Sequence, residues 1–274
     1  MPSVQSSSLP VDGAALSYSV HGTGPFLLLI AGGEGGGEGY HDLADALAGR
    51  HTVVTYDRRG ALGSPVDDPN QDVRLETHTE DAHCLLKLLT NTPVEIFGSS
   101  AGALVGLDLM IQHPEQVRLL VAHEPPVEGI LASFDQSQAE IADALREGGG
   151  PSALQKFFSR TGIQFNDLEP GVVLPAPNPQ EAVLRGQALM RYTFPAVHRY
   201  RLDVEALRHV AEHVPLVLAV SSSGQNTPVY QCTLTLAAHL GKKMSVFPSH
   251  HSGYIAYPRA FAARLEELLQ EVRG

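Results

Sequence analysis

The sequence predicts an α/β protein, a mostly parallel twisted sheet with helices on both faces and an inserted helical cap. Three observations predict it. Short apolar runs alternate with helical patterns over most of the 274 residues, as βαβ units do. The run over 26–31 is continuously apolar, as a strand buried on both faces requires. The alternation breaks between about Pro125 and Val214, where helical patterns and the proline-rich stretch LEPGVVLPAPNP replace it.

Taken in order, residues 14–20 alternate and read as a strand, and 26–31 as a buried strand. Residues 40–48 read as a helix, 52–57 as a strand and 79–89 as an amphipathic helix. A strand at 94–97 runs through a glycine pair into a helix over 101–112, and 118–123 is a further strand. Helical patterns follow at 138–146, 152–160 and 179–192. The chain then returns to strands at 216–220 and 244–247, with a helix at 229–240 between them. A closing helix over 258–272 starts with a proline in its first turn. The expected organisation is a core domain of 1–124 and 215–274, with a helical cap of 125–214 inserted in it.

Composition narrows the class. Charged residues are 18% and hydrophobic ones 43%, which supports a solid core. The net charge of −11 comes with no visible basic patch, so a nucleic-acid partner is not expected. The two cysteines, Cys84 and Cys232, are not closely spaced and suggest neither a disulfide framework nor a metal site. Both fall in apolar helical patterns and read as small core residues. No signal peptide and no membrane-length apolar run is evident, so a soluble cytoplasmic protein is expected. The glycine-rich run over 32–39 lacks the G-K-[ST] ending of a phosphate loop. Gly22 and Gly24 precede their strand and do not form a dinucleotide fingerprint. No cofactor and no metal is expected, and the oligomeric state is left open.

The chemistry centres on Gly98-Ser99-Ser100-Ala101-Gly102. A strand that turns sharply into a helix through two glycines presents its middle serine at the turn, so Ser100 is the candidate nucleophile. A serine hydroxyl needs a neighbouring base, and the base needs an orienting acid. In elbow-type hydrolases the chain order is serine, acid, histidine. His250 and His251 follow the last predicted strand, and His251, seven residues before Pro258, is the candidate base, with His250 in reserve.

The acid departs from the usual plan. The loop after 216–220 reads Ser221-Ser222-Ser223-Gly224-Gln225-Asn226, and no Asp follows Asp203. Glu124, in Ala122-His123-Glu124-Pro125-Pro126, ends the preceding strand and is the candidate acid. A carboxylate at the end of an apolar run is costly without a partner, and a histidine N–H is a suitable one. For the oxyanion, one N–H is expected from Ala101 at the start of the elbow helix. The other is expected from Gly33 in the glycine loop, with Glu34 as the alternative donor. Asp57-Arg58-Arg59-Gly60 reads as a loop fixed by hydrogen bonds, and His21 and His123 as packed or surface residues. Phe157, Phe158, Met190, Tyr192, Phe194 and Tyr200 serve either a substrate pocket or the packing of the cap.

With these residues in hand, the chain resembles the α/β-hydrolase superfamily over nearly its full length. Ser99-Ser100, the His-Glu-Pro-Pro turn at Glu124, the Phe247-Pro248…His251 ending and the Gly22-Thr23-Gly24-Pro25 lead-in are similar to the zearalenone lactonases. That resemblance implies a Ser, His and Glu triad with the Glu after the sixth strand. It also implies a cap tryptophan against the macrocycle, and this chain has no Trp. The expected function is hydrolysis of a carboxylic ester or lactone through an acyl-enzyme, with a small-molecule substrate such as a zearalenone-type macrolactone. The alternatives are a C–C bond hydrolase or lyase using the same triad, and a non-catalytic ligand-binding member of the fold.

Overall fold

The computed structural model describes residues 4–33, 35–176 and 178–273. Its strands are β1 (Val4–Val11), β2 (Ala14–His21), β3 (Phe26–Ile30), β4 (Thr52–Tyr56), β5 (Val94–Ser99), β6 (Val117–His123), β7 (Leu216–Ser221) and β8 (Met244–Phe247). They form one sheet in the order β1-β2-β4-β3-β5-β6-β7-β8. β1 pairs β2 and β2 pairs β4 antiparallel, and every later pairing is parallel. β1 is the strand the sequence does not announce. Its residues, VQSSSLPV, are mostly exposed and carry no apolar alternation. The backbone ladder to β2 holds it, together with the Ser6–Ser19 hydroxyl pair at 3.0 Å.

The helices are α1 (His41–Leu47), α2 (Leu75–Leu89), α3 (Ala101–Gln112), α4 (Ala132–Thr161), α5 (Pro179–Ala188), α6 (Phe194–Arg199), α7 (Val204–Val210), α8 (Pro228–Leu240), α9 (Gly253–Ala256) and α10 (Pro258–Arg273). Side chains alternate across a strand, so each central strand feeds two cores. Leu28, Ile30, Ile96, Leu120 and Leu218 pack with residues of α2, α3 and α8. Leu27, Leu29, Phe97, Leu119 and Val121 pack with α1 and α10. Helices therefore cover both faces of a mostly parallel sheet, as the sequence predicts.

Two readings change. α2 starts at Leu75, four residues earlier than its amphipathic stretch suggests, because Leu75 itself packs into the core. Cys84 on α2 is not a core residue. It is half-buried, with its Sγ 3.7 Å from Glu80 Oε1, while Cys232 is fully buried.

Between β6 and β7 the chain forms α4 to α7. α4 is broken at Gly149 (φ 70°, ψ −167°), just before Pro151, so the two patterns seen in sequence are two arms of one kinked element. α5 runs into a π-helical turn, Leu189–Thr193, and then into α6. Ile141, Ala153, Leu189, Met190 and Phe194 form a small apolar cluster of their own. Phe134, Val197, Tyr200 and Leu207 join the larger core instead. Tyr200 also donates from its hydroxyl to Asp108 on α3 at 2.8 Å, and Thr79 Oγ1 donates to the other oxygen of the same buried carboxylate at 2.7 Å.

The loop after β4 has the structural duty expected of it. Asp57 accepts from the Gly37 and Gly63 N–H groups at 2.7 and 3.0 Å. Arg59 forks onto buried Asp81 of α2 at 2.7 and 2.6 Å. Removing one partner of a buried pair leaves the other charge without compensation. Arg59→Met is expected to lower the unfolding free energy by about 3–5 kcal/mol. Urea denaturation checks this, and the double variant Arg59→Met/Asp81→Leu should recover part of the loss.

Candidate active site

Parallel pairing sets the site. β5, β6, β7 and β8 lie side by side, with Ser99 in register with His123, His123 with Ala219, and Ser221 with Phe247. Ser100 follows β5, Glu124 follows β6, Ser221 ends β7 and His251 follows β8. All four lie at the C-terminal edge of the sheet, where ligands of such folds bind. Gly33 follows β3, the neighbour of β5 on the other side.

Ser100 has φ 54° and ψ −124°, outside the conformations L-residues prefer. Three hydrogen bonds hold it there. Its N–H donates to the His123 carbonyl at 2.8 Å, and its own carbonyl accepts from the N–H groups of Ala103 and Leu104. The turn needs both flanking glycines. A Cβ on Gly102 would lie 2.1 Å from the Ile30 carbonyl oxygen, and one on Gly98 would lie 2.4 Å from that of Gly102. Non-glycine residues with positive φ number three among the described residues: Ser100, Glu124 and Ser249. Each such backbone costs roughly 1–3 kcal/mol, and two of the three belong to residues singled out for chemistry.

Glu124 is completely buried. Its Oε2 meets His251 Nδ1 at 2.5 Å, and its Oε1 accepts from the Ser221 N–H at 2.9 Å and the Ser221 hydroxyl at 2.6 Å. Burial alone raises a carboxyl pKa, but the hydrogen bond from His251, the nearby His123 and the Ser221 donor outweigh it and bring Glu124 down to about 2. Glu124 is therefore ionised at neutral pH and can only accept, so Nδ1 of His251 carries the proton of this bond. In the neutral ring Nε2 is then the basic nitrogen.

His250 is placed differently. Its Nδ1 accepts from the Ser252 N–H at 3.1 Å and its ring stands edge-on to Phe165. Ser99 lies under the elbow, where its hydroxyl meets His123 Nδ1 at 3.3 Å. His21 and His123 are both packed inside, and burial holds His123 at about 4, against the pull of Glu124.

Ser100, His251 and Gly33 line a cavity of about 340 Å3, walled also by Phe157, Leu189 and Tyr254. The same three residues border a smaller recess of about 50 Å3, which adds Ala101, Phe134 and Phe194. Ala101 opens α3, so its N–H has no intrahelical acceptor. Gly33 has φ 50°. Glu34, the alternative donor, lies outside the described residues. Of the aromatics singled out in sequence, Phe157 lines both spaces, Phe158 the larger and Phe194 the smaller. Tyr192 instead donates to the Pro69 carbonyl.

Sequence reasoning missed Ser221. Ser221, the last residue of β7, binds the Glu124 carboxylate through two donors. Its only signal was its place at the end of a strand.

A family model described as alpha/beta hydrolase fold matches residues 25–166. A Bacillus subtilis (strain 168) protein, named as uncharacterized hydrolase YraK, is 35% identical over 270 residues, spanning 98% of this chain and 97% of that one. Among solved structures, a thermophilic esterase from Thermogutta terrifontis matches with a TM-score of 0.75 at 16% identity, over 98% of this chain and 100% of the other. A hydrolase from Pseudomonas aeruginosa matches with a TM-score of 0.70 at 22% identity, over 96% and 98%. At such identities these two structures speak to the fold alone. The chain belongs to the α/β-hydrolase fold family, and it is a hydrolase of that family. No helix among the described residues is long and apolar enough to cross a membrane.

The Glu124 carboxyl gives a pH signature. Its folded value of about 2 lies below the ordinary 4.5, so it contributes stability at pH above 4.5 that is lost as pH falls towards 2. The stability gap between wild type and Glu124→Gln should therefore be widest near neutral pH and shrink below pH 4.5. Urea unfolding at a series of pH values measures the gap.

Proposed function

We propose that this chain hydrolyses carboxylic esters or lactones through an acyl-enzyme on Ser100. The observation that carries the reading is the buried Glu124–His251 pair beside a serine held in a strained strand-to-helix turn, with Ser100 and His251 on the wall of one cavity. Ser100 Oγ attacks the carbonyl carbon while His251 Nε2 takes its proton. The tetrahedral oxyanion is held by the N–H groups of Ala101 and Gly33. Collapse breaks the bond to the alkoxy oxygen, which leaves with the proton from His251. Water then attacks the acyl carbon, His251 again takes and returns the proton, and the carboxylic acid departs. Glu124 keeps the ring in one tautomer and steadies the imidazolium as it forms.

Residues 125–214 act in this reading as a cap, since Leu154, Phe157 and Leu189 face the larger chamber. Its volume of about 340 Å3 falls at the small end of ordinary small-molecule sites, roughly 300–1,000 Å3. A macrolactone of the zearalenone type is a substrate of this class, with Phe157 or Tyr254 as the aromatic surface in place of a tryptophan.

A fluorophosphonate probe should label wild type and leave Ser100→Ala unlabelled. On nitrophenyl esters and a resorcylic macrolactone, Glu124→Gln should lower kcat by roughly 10^3–10^4-fold, because an amide N–H facing Nδ1 favours the wrong tautomer. Near-wild-type turnover in Glu124→Gln would place the acid elsewhere. Labelling without turnover of any ester or lactone would favour C–C bond chemistry at the same residues.

A further inference from the structure

Arg58 is buried, at 1% exposure, beneath the loop that leaves β3. Its Nε donates to the Ala31 carbonyl at 3.1 Å and its Nη2 to the Gly33 carbonyl at 3.0 Å. The carbonyl between them, that of Gly32, accepts from the Gly35 N–H at 2.8 Å. Three successive carbonyls are thus held. In a trans peptide the C=O and the following N–H lie in one plane and point opposite ways. Holding the Ala31 and Gly32 carbonyls therefore aims the N–H groups of Gly32 and Gly33. The bond to the Gly33 carbonyl closes the turn behind them.

The guanidinium also reaches across to another element. The same Nη2 donates to Thr193 Oγ1 at 3.2 Å. Thr193 ends the π-helical turn and lines the smaller recess, and Leu189, at the start of that turn, lines both spaces. Packing leaves the guanidinium little freedom. Gly35 has φ 88°, and a Cβ there would sit 3.0 Å from both Cβ and Nε of Arg58. The Arg58 N–H meanwhile donates to the Gly35 carbonyl at 2.9 Å.

We infer that Arg58 is a positioning residue for the oxyanion site: by holding the Ala31 and Gly33 carbonyls it braces both sides of the Gly32–Gly33 peptide that carries the Gly33 N–H, and it ties that peptide to the wall of the substrate chamber through Thr193. The planar fork suits this task, because its donors diverge in fixed directions that a lysine ammonium cannot reproduce. The neighbouring Arg59 faces Asp81 and takes no part. The inference rests on Ser100 being the nucleophile and Gly33 an oxyanion donor.

The test compares wild type, Arg58→Lys, Arg58→Met and Thr193→Val. Fluorophosphonate labelling of wild type comes first, since its failure overturns the nucleophile and this inference with it. Two readouts follow, the kcat and KM for a nitrophenyl ester and the inhibition constant of phenylboronic acid. That inhibitor accepts Ser100 Oγ at boron and becomes a tetrahedral anion resembling the transition state. In Arg58→Lys and Arg58→Met, kcat should fall about 10–100-fold with KM changed less than about twofold, and boronate affinity should fall by a similar factor to kcat. Thr193→Val should show a smaller loss of the same kind. Should Arg58→Met fail to fold, Arg58→Lys, which keeps the buried charge, decides the matter. Boronate affinity within twofold of wild type in a folded Arg58 variant overturns the proposal, whatever happens to kcat.

Discussion

Glu124 holds a full negative charge in a place that water does not reach. Such a charge persists only where donors converge on it, and here they come from the adjacent strand and from the loop after the edge strand beyond it. Ser221 supplies two donors from the end of β7, and His251 supplies one from the loop after β8. The carboxylate therefore joins three neighbouring strand ends. It also fixes which nitrogen of His251 bears a proton, so the stability of this corner and the tautomer of its histidine have one source. The unusual backbone of Glu124, at φ 49°, is held by the same bonds and by its N–H on the Ala219 carbonyl.

Ser100 is held by exclusion as well as by its hydrogen bonds. Gly98 and Gly102 are small because carbonyl oxygens crowd both. That crowding lets α3 start directly against β3 and β5 and leaves Ser100 at the bend. The glycine loop after β3 is adjacent for the same reason, since Gly32 lies against the backbone of Ser99 and the Cβ of Ser100. A tightly packed elbow thus brings Ser100 and the glycine loop together before any specific bond between them is needed.

Much of this was legible in the chain, and the limits have physical reasons. The parallel sheet showed itself because strands buried on both faces must be apolar throughout, as Leu27 to Ile30 are. Glu124 stood out because a charged residue closing the run Leu119–Ala122 asks for a partner. His251 could be chosen over His250 by spacing, and the structure sets His251 against Glu124. β1 stayed hidden because an edge strand held by backbone bonds needs no apolar pattern. Cys84 was misread because a helical pattern does not say how deep each position lies. The contacts of Ser221 and Arg58 were illegible. A serine at a strand end and an arginine in a loop acquire meaning only from the carbonyls and carboxylates that folding brings to them.

Glu124 and His251 lie 127 residues apart in sequence, and they meet only through strands β7 and β8 on one side of the sheet. Closing so large a loop is among the slower tasks of folding, because its entropy must be met before the contact rewards it. The elbow, by contrast, is built from β3, β5, α3 and the end of β6, all of which precede β7 and β8. A chain part-way through folding can therefore carry a well-formed turn at Ser100 before Glu124 has met His251. Formation of the Glu124–His251 contact during refolding would therefore report the docking of the last strands rather than that of the earlier half of the sheet.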